Sequence, residues 1–178
     1  MDVKVLLLIV TAFLTIANPA MAGNREGAVT LSPFFGGQMF AMGKEHHLDA
    51  DFTMGFRGGY NFTRHVGAEL MFGYTDTVHD PEVIRANIYR YGADILYHFM
   101  PDKNLIPFVA AGFGGMTVDY NYGLPDQTSA YFNYGVGVEY SLANRIALRG
   151  DFRHALILDN GDSAFEGTVG LKFQFGGR

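Results

Sequence analysis

The feature that most constrains this chain is an alternation of apolar with polar or small side chains, period two, repeated in eight successive segments after residue 22. A strand sends successive side chains to opposite faces, so such a segment reads as a strand with one apolar face. The last segment is the cleanest: Phe165, Gly167, Val169, Leu171, Phe173 and Phe175 fall on one face, and Glu166, Thr168, Gly170, Lys172 and Gln174 on the other. The sixth sets Phe132, Tyr134, Val136, Val138, Tyr140 and Leu142 against Asn133, Gly135, Gly137, Glu139 and Ser141. The seventh sets Ile146, Leu148, Phe152, Leu156 and Leu158 against Arg149, Asp151 and Arg153. Segments two, three and four follow the same rule, with Arg57, Glu69, Arg90, Asp94 and His98 on their polar faces. The first, about Ala28 to Phe40, and the fifth, about Ile106 to Asp119, carry small and apolar residues on both parities, which leaves their facing open. Eight strands of roughly 9–13 residues are close to the ~9–11 that cross a bilayer obliquely.

Which face is apolar, and how much charge is left for the other, decides the solvent. A soluble β-sandwich or lipocalin-like barrel points its apolar face inward and clothes its outside with Lys and Glu. Charged residues make up only 17% of this chain, too few to clothe such an outside. The apolar parity is therefore expected to face lipid, and the fold expected is all-β, an eight-stranded antiparallel up-and-down transmembrane barrel. Polarity alone then makes Leu171→Arg severe and Gly170→Ser mild. The net charge of −5 gives no reason to expect nucleic acid as a partner. With no cysteine, disulfides, thiolate metal sites and a lipoprotein anchor are all excluded.

Connections and aromatics support the same reading. Asn61 to Arg64, Met100 to Leu105 and Ala143 to Arg145 read as short turns, and Ala41 to Ala50, Val78 to Ile84, Tyr120 to Thr128 and Asp159 to Ala164 as longer polar loops. Short turns at one end and longer loops at the other is the pattern of bacterial barrels, with both termini on the periplasmic, short-turn side. Tyr60, Phe62, Tyr97, Phe99, Tyr140, Phe173 and Phe175 gather at the short-turn end; Phe52, Tyr74, Tyr89, Phe132 and Phe165 gather at the other. Two such girdles are expected at the two interfaces.

Residues 1–22 read as a signal peptide. Lys4 precedes an apolar run, Val5 to Ala17, too short to span a bilayer as a helix, and Ala20-Met21-Ala22 supplies a small-x-small processing site. The alternative is an N-terminal core helix, against which Pro19 speaks. Residues 23–178 then form one barrel domain.

The chain resembles the N-terminal transmembrane barrel of the OmpA-like outer-membrane protein family. The resemblance is carried by Leu31-Ser-Pro-Phe-Phe-Gly-Gly37, Arg57-Gly-Gly-Tyr-Asn-Phe62, Ile106-Pro-Phe-Val-Ala-Ala-Gly112, Tyr134-Gly-Val-Gly-Val-Glu-Tyr140, Ala147-Leu-Arg-Gly-Asp-Phe-Arg-His154 and Gly170-Leu-Lys-Phe-Gln-Phe-Gly-Gly177, in that order over the whole mature chain. It implies an outer-membrane location in a Gram-negative bacterium and a non-enzymatic role: supporting membrane integrity and presenting loops outward. The partners it implies are outer-membrane lipid and lipopolysaccharide, and the barrel-assembly machinery during insertion. Two departures stand out. Many family members continue into a peptidoglycan-binding domain, which this sequence does not carry. Phe175 is followed by Gly176-Gly177-Arg178, where the assembly machinery commonly reads a terminal Phe, so either that signal is tolerated three residues in or the barrel belongs to a longer architecture.

The polar parity sets up a candidate site. Arg57, Arg90, Arg149, Arg153 and Lys172 face the lumen with Glu69, Asp94, Glu139, Asp151 and Glu166, five of each sign. An eight-stranded barrel is just wide enough inside for side chains, and charges held there must pair. The expectation is a closed ion-pair network that plugs the barrel, with Arg149, Asp151 and Arg153 reaching Glu139 and Glu166 on the neighbouring strands. The alternatives are a small non-specific pore, which would want unbalanced lumen charge, and a lipid-modifying enzyme, which would want a nucleophile–base pair at the outer rim. No His-x-Ser occurs, and no catalytic triad can be drawn. His46-His47 with Glu45 and Asp49, and His79-Asp80, read as solvated loop residues, and His154 falls on the lipid-facing parity. No catalytic, metal or cofactor site is expected.

Overall fold

The computed structural model describes residues 23–41, 50–79, 84–120, 126–159 and 161–178; the signal-peptide reading of 1–22 and the loop residues His46, His47 and Asp80 lie outside them. Eight strands follow in order: β1 (Ala28–Ala41), β2 (Ala50–Asn61), β3 (Val66–His79), β4 (Ile84–His98), β5 (Leu105–Tyr120), β6 (Gln127–Ala143), β7 (Ile146–Ile157) and β8 (Ser163–Gly176). Each pairs antiparallel with the next, and β1 pairs with β8, which closes the barrel and leaves no sheet edge. Closure is required in lipid, because every strand N–H and C=O must find a partner without water.

The ladder also fixes the stagger. Stepping from Val29 to Tyr60, Ala68, Ile95, Ala111, Tyr134, His154 and Phe165, the path returns to β1 at Met39, ten residues beyond its start. Such a shear tilts the strands and sets a narrow interior.

Side chains sort by the predicted parity. Phe35, Phe56, Leu70, Ile95, Val136, Phe152 and Leu171 stand exposed on the outer wall, while the charged parity is buried. The facing left open by sequence is now settled. On β1, Thr30, Ser32, Phe34 and Gln38 point in; on β5, Ile106, Phe108, Ala110 and Met116 do. The inner face of β5 is itself apolar, so alternation could not reveal it. Glycine on the neighbouring wall makes room for these rings: a Cβ on Gly137 would sit 2.3 Å from the Phe108 ring, and one on Gly114 2.5 Å from the Tyr131 hydroxyl.

At 12 residues β2 and β7 keep the expected length, while the other six strands run longer, from 14 residues to 17 in β6. The extra length lies at the long-loop end. There Asp76 pairs with Asn87 and Thr117 with Thr128, so the ladder outlasts the apolar outer face. Beyond the girdle nothing requires an apolar outside, and the period-two signal fades while hydrogen bonding continues. At the other end the segment ahead of β1 meets the one after β8, with Arg178 N–H donating to the Glu26 carbonyl at 2.9 Å.

Candidate functional site

The barrel interior is layered. At mid-height, the Arg149 guanidinium donates from Nη1 and Nη2 to the two Glu69 oxygens at 2.7 and 2.9 Å, a bidentate fork. Its Nε reaches Asp151 Oδ2 at 2.8 Å. Arg153 Nη2 donates to Glu69 Oε1 at 2.8 Å and to Asp151 Oδ1 at 3.2 Å, and its Nη1 pairs with Asp94. Asn133 Nδ2 takes the other Asp94 oxygen at 2.8 Å. Arg57 lies 3.6 Å from Asp151, donates to Glu166 at 3.3 Å, and rests on the Phe34 ring at 3.9 Å. Arg90 pairs with Glu166. Four guanidiniums and four carboxylates thus form one connected, charge-balanced cluster.

A second pair sits nearer the short-turn end. Lys172 Nζ donates to both Glu139 oxygens, at 3.0 and 2.9 Å, and His98 Nε2 lies 3.5 Å from Glu139. All ten predicted lumen residues are buried, none more than 6% exposed. A single unpaired charge in such a place would be very costly, so the two balanced groups are what such burial requires. Among the described residues Arg57 Nε, Arg90 Nε and Gln38 Nε2 have no hydrogen-bond acceptor.

The partner assignments differ from those expected. Glu139 stands opposite Arg149 in the β6–β7 ladder, and Glu166 opposite Arg153 in the β7–β8 ladder. Arg149 instead crosses to Glu69 on β3, Glu139 takes Lys172, and Glu166 takes Arg57 and Arg90. In a tightly curved barrel inward side chains converge on the axis, so a long guanidinium meets carboxylates from the opposite wall as readily as from its neighbours.

Buried side chains stand at both ends of this polar column. Toward the long loops Phe34, Met71, Ile88, Met116, Tyr131, Ala155, Ile157 and Ala164 form one apolar cluster with Val118 packed on it. At the short-turn end the segment ahead of β1 folds over the mouth. Asn24 is 3% exposed; its N–H donates to the Pro101 carbonyl and its Nδ2 to the Arg64 carbonyl, each at 2.8 Å. Its Oδ1 accepts from Asn61 Nδ2 at 2.8 Å and from Lys172 Nζ at 3.1 Å. Gln174 Nε2 donates to the Gly23 carbonyl, and Arg25 N–H to Gln174 Oε1.

Sequence reasoning missed several of these. His98 and Asn133 lay on the polar parity and could have been added by asking which uncharged polar groups must serve the charges. Asn24 precedes the first strand, where no periodicity points inward. Among the described residues no three His, Cys, Asp or Glu side chains form a metal-holding group.

Residues 7–175 match the family model described as the outer membrane protein beta-barrel domain. Among solved structures, Neisserial surface protein A (NspA) is similar at 17% identity and a TM-score of 0.72, covering 84% of this chain and 100% of that one. The N-terminal β-barrel domain of OprF from Pseudomonas aeruginosa is similar at 22% identity and 0.64, covering 85% and 99%. OprG from the same organism is similar at 14% identity and 0.64, covering 88% and 99%. The barrel closure, the apolar outer wall and the matched domain agree: this chain belongs to the outer membrane protein β-barrel family and resides in the outer membrane.

Proposed function

We propose that the protein is a non-enzymatic structural barrel of the OmpA-like type, whose lumen is plugged by ion pairs and whose roles are to support membrane integrity and to present loops outward. The observation that carries this reading is the connected cluster of Arg57, Arg90, Arg149 and Arg153 with Glu69, Asp94, Asp151 and Glu166, covered by an apolar layer at one end and Asn24 at the other. A column packed in this way opposes a continuous water path, which speaks against the small pore. All the charged groups that might do chemistry in it are committed to one another, which speaks against an enzyme working from the lumen.

In this reading residues 1–22 are the leader removed on export, the barrel-assembly machinery inserts the chain, and lipopolysaccharide surrounds its outer half. Deleting the gene should raise sensitivity to detergent and bulky antibiotics, and the wild-type gene should restore resistance. The lipid A mass profile should be the same in both strains. An altered profile would favour a lipid-modifying enzyme, and unchanged sensitivity would reject the integrity role.

A further inference from the structure

From the short-turn girdle up to the long-loop girdle, the described strands place just one histidine, acid or base on the membrane-facing wall: His154 on β7, opposite the girdle residue Phe165. An ionisable group on such a wall is uncommon, and its polar atoms call for partners. Its ring is held firmly, stacked on Phe165 at 4.4 Å and 12°, with Tyr134 edge-on at 5.3 Å and 87°. His154 Nδ1 lies 2.9 Å from the Tyr134 hydroxyl oxygen. If the hydroxyl donates, the imidazole proton sits on Nε2; if Nδ1–H donates, the hydroxyl proton is released. In either arrangement the pair keeps one N–H or O–H donor with no protein acceptor among the described residues.

In lipid that donor needs an acceptor from outside the protein. Its depth says which. His154 faces Phe165 of the long-loop girdle across the β7–β8 ladder, and girdle rings sit at the membrane interface, where acyl chains join their backbone through carbonyls. Beneath the pair runs a groove of about 560 Å³ in the outer wall, floored by Ala111 and Gly135 and flanked by Ile95, Val109, Val136 and Phe152. The small Ala111 side chain opens it and branched or aromatic ones bound it, which suits a hydrocarbon chain.

We propose that the Tyr134–His154 pair and this groove form a binding site for one acyl chain of an outer-leaflet lipopolysaccharide, with the spare donor on the ester or amide carbonyl that links the chain. The inference rests on the outward orientation of the long loops proposed above, which puts this level in the outer leaflet.

The test uses the whole protein, extracted from outer membranes in mild detergent. Native mass spectrometry counts retained lipopolysaccharide for wild type, the double variant Tyr134→Phe/His154→Phe and Ala111→Phe. The double variant keeps both rings without a donor, and Ala111→Phe, opposite Tyr134 in the β5–β6 ladder, fills the groove with both polar groups left in place. The double variant is expected to hold about fivefold less lipid, the worth of one net hydrogen bond, and Ala111→Phe to hold less than wild type. In nanodiscs, the His154 side-chain nitrogen resonances should differ between ester-linked phosphatidylcholine and its ether-linked analogue, which lacks the carbonyls. Equal retention in all three proteins overturns the site, and resonances indifferent to the linkage overturn the carbonyl contact. Should the double variant fail to fold, Ala111→Phe and the resonances decide alone. Ion conductance by the barrel would contradict the sealed lumen and leave this site standing.

Discussion

Arg149 on β7 grips Glu69 on β3 through two parallel hydrogen bonds of 2.7 and 2.9 Å across the lumen, although the residues beside it in the sheet are Glu139 and Gly170. The fork matches the planar guanidinium to both carboxylate oxygens, a geometry that strand neighbours side by side do not offer here. It ties opposite walls of the barrel together.

Replacing Arg149 by Ala leaves Glu69 and Asp151 short of one cation in a dry interior. The expected loss is about 3–5 kcal/mol, as for other broken buried pairs. In a double-mutant cycle by urea unfolding in lipid, Arg149→Ala should couple to Glu69→Ala by up to about 3 kcal/mol and distinctly less to Glu139→Ala. Stronger coupling to Glu139 would restore the neighbour pairing and refute the cross-lumen fork.

Leu171 lies mid-strand on the outer wall of β8. Leu171→Arg should cost about 2–4 kcal/mol if the position lies near the bilayer midplane. Gly170, on the opposite face, cannot be judged by polarity as the sequence suggested: a Cβ there would meet the Pro33 carbonyl oxygen at 2.3 Å. Gly170→Ser should therefore also destabilise, by backbone displacement rather than by charge. Equilibrium unfolding of both variants checks this; a Leu171→Arg protein as stable as wild type would mean the facing is off by one residue.

These cases show what sequence made legible. Strand number, order and facing of six strands followed from alternation, because lipid outside and charge inside enforce opposite chemistry on successive residues. The facing of β1 and β5 did not, since Phe34, Ile106, Phe108 and Met116 fill the lumen with the same residue types that cover the wall. The ten lumen charges could be named from parity, but their partners could not, because a period-two pattern gives direction and not reach. Strand ends above the girdle and the inward fold of Asn24 left no periodic trace at all.

Asn24 binds Arg64, Pro101, Asn61 and Lys172 at the short-turn mouth. Asn24→Ala orphans several of these groups together and should cost about 1–3 kcal/mol, the range for unmet buried partners. Circular dichroism should still report a β barrel, and hydrogen exchange should rise first at the turns carrying Arg64 and Pro101. Unchanged exchange there would show that this segment does not seal the mouth.

If residues 1–22 are a leader, protein isolated from the outer membrane should begin at Gly23, whose carbonyl is already held by Gln174. Intact-mass measurement decides this. Met1 retained in the membrane-inserted barrel would reject the processing site.

The central claim is that the lumen is closed. Purified protein reconstituted in a planar bilayer measures it directly, with the current recorded before and after Arg149→Ala. The sealed column predicts that wild type passes no steady current, while the variant, with one guanidinium gone from the mid-height cluster, shows at most brief openings. A stable unitary conductance from the wild-type barrel would contradict the account and make the protein a pore.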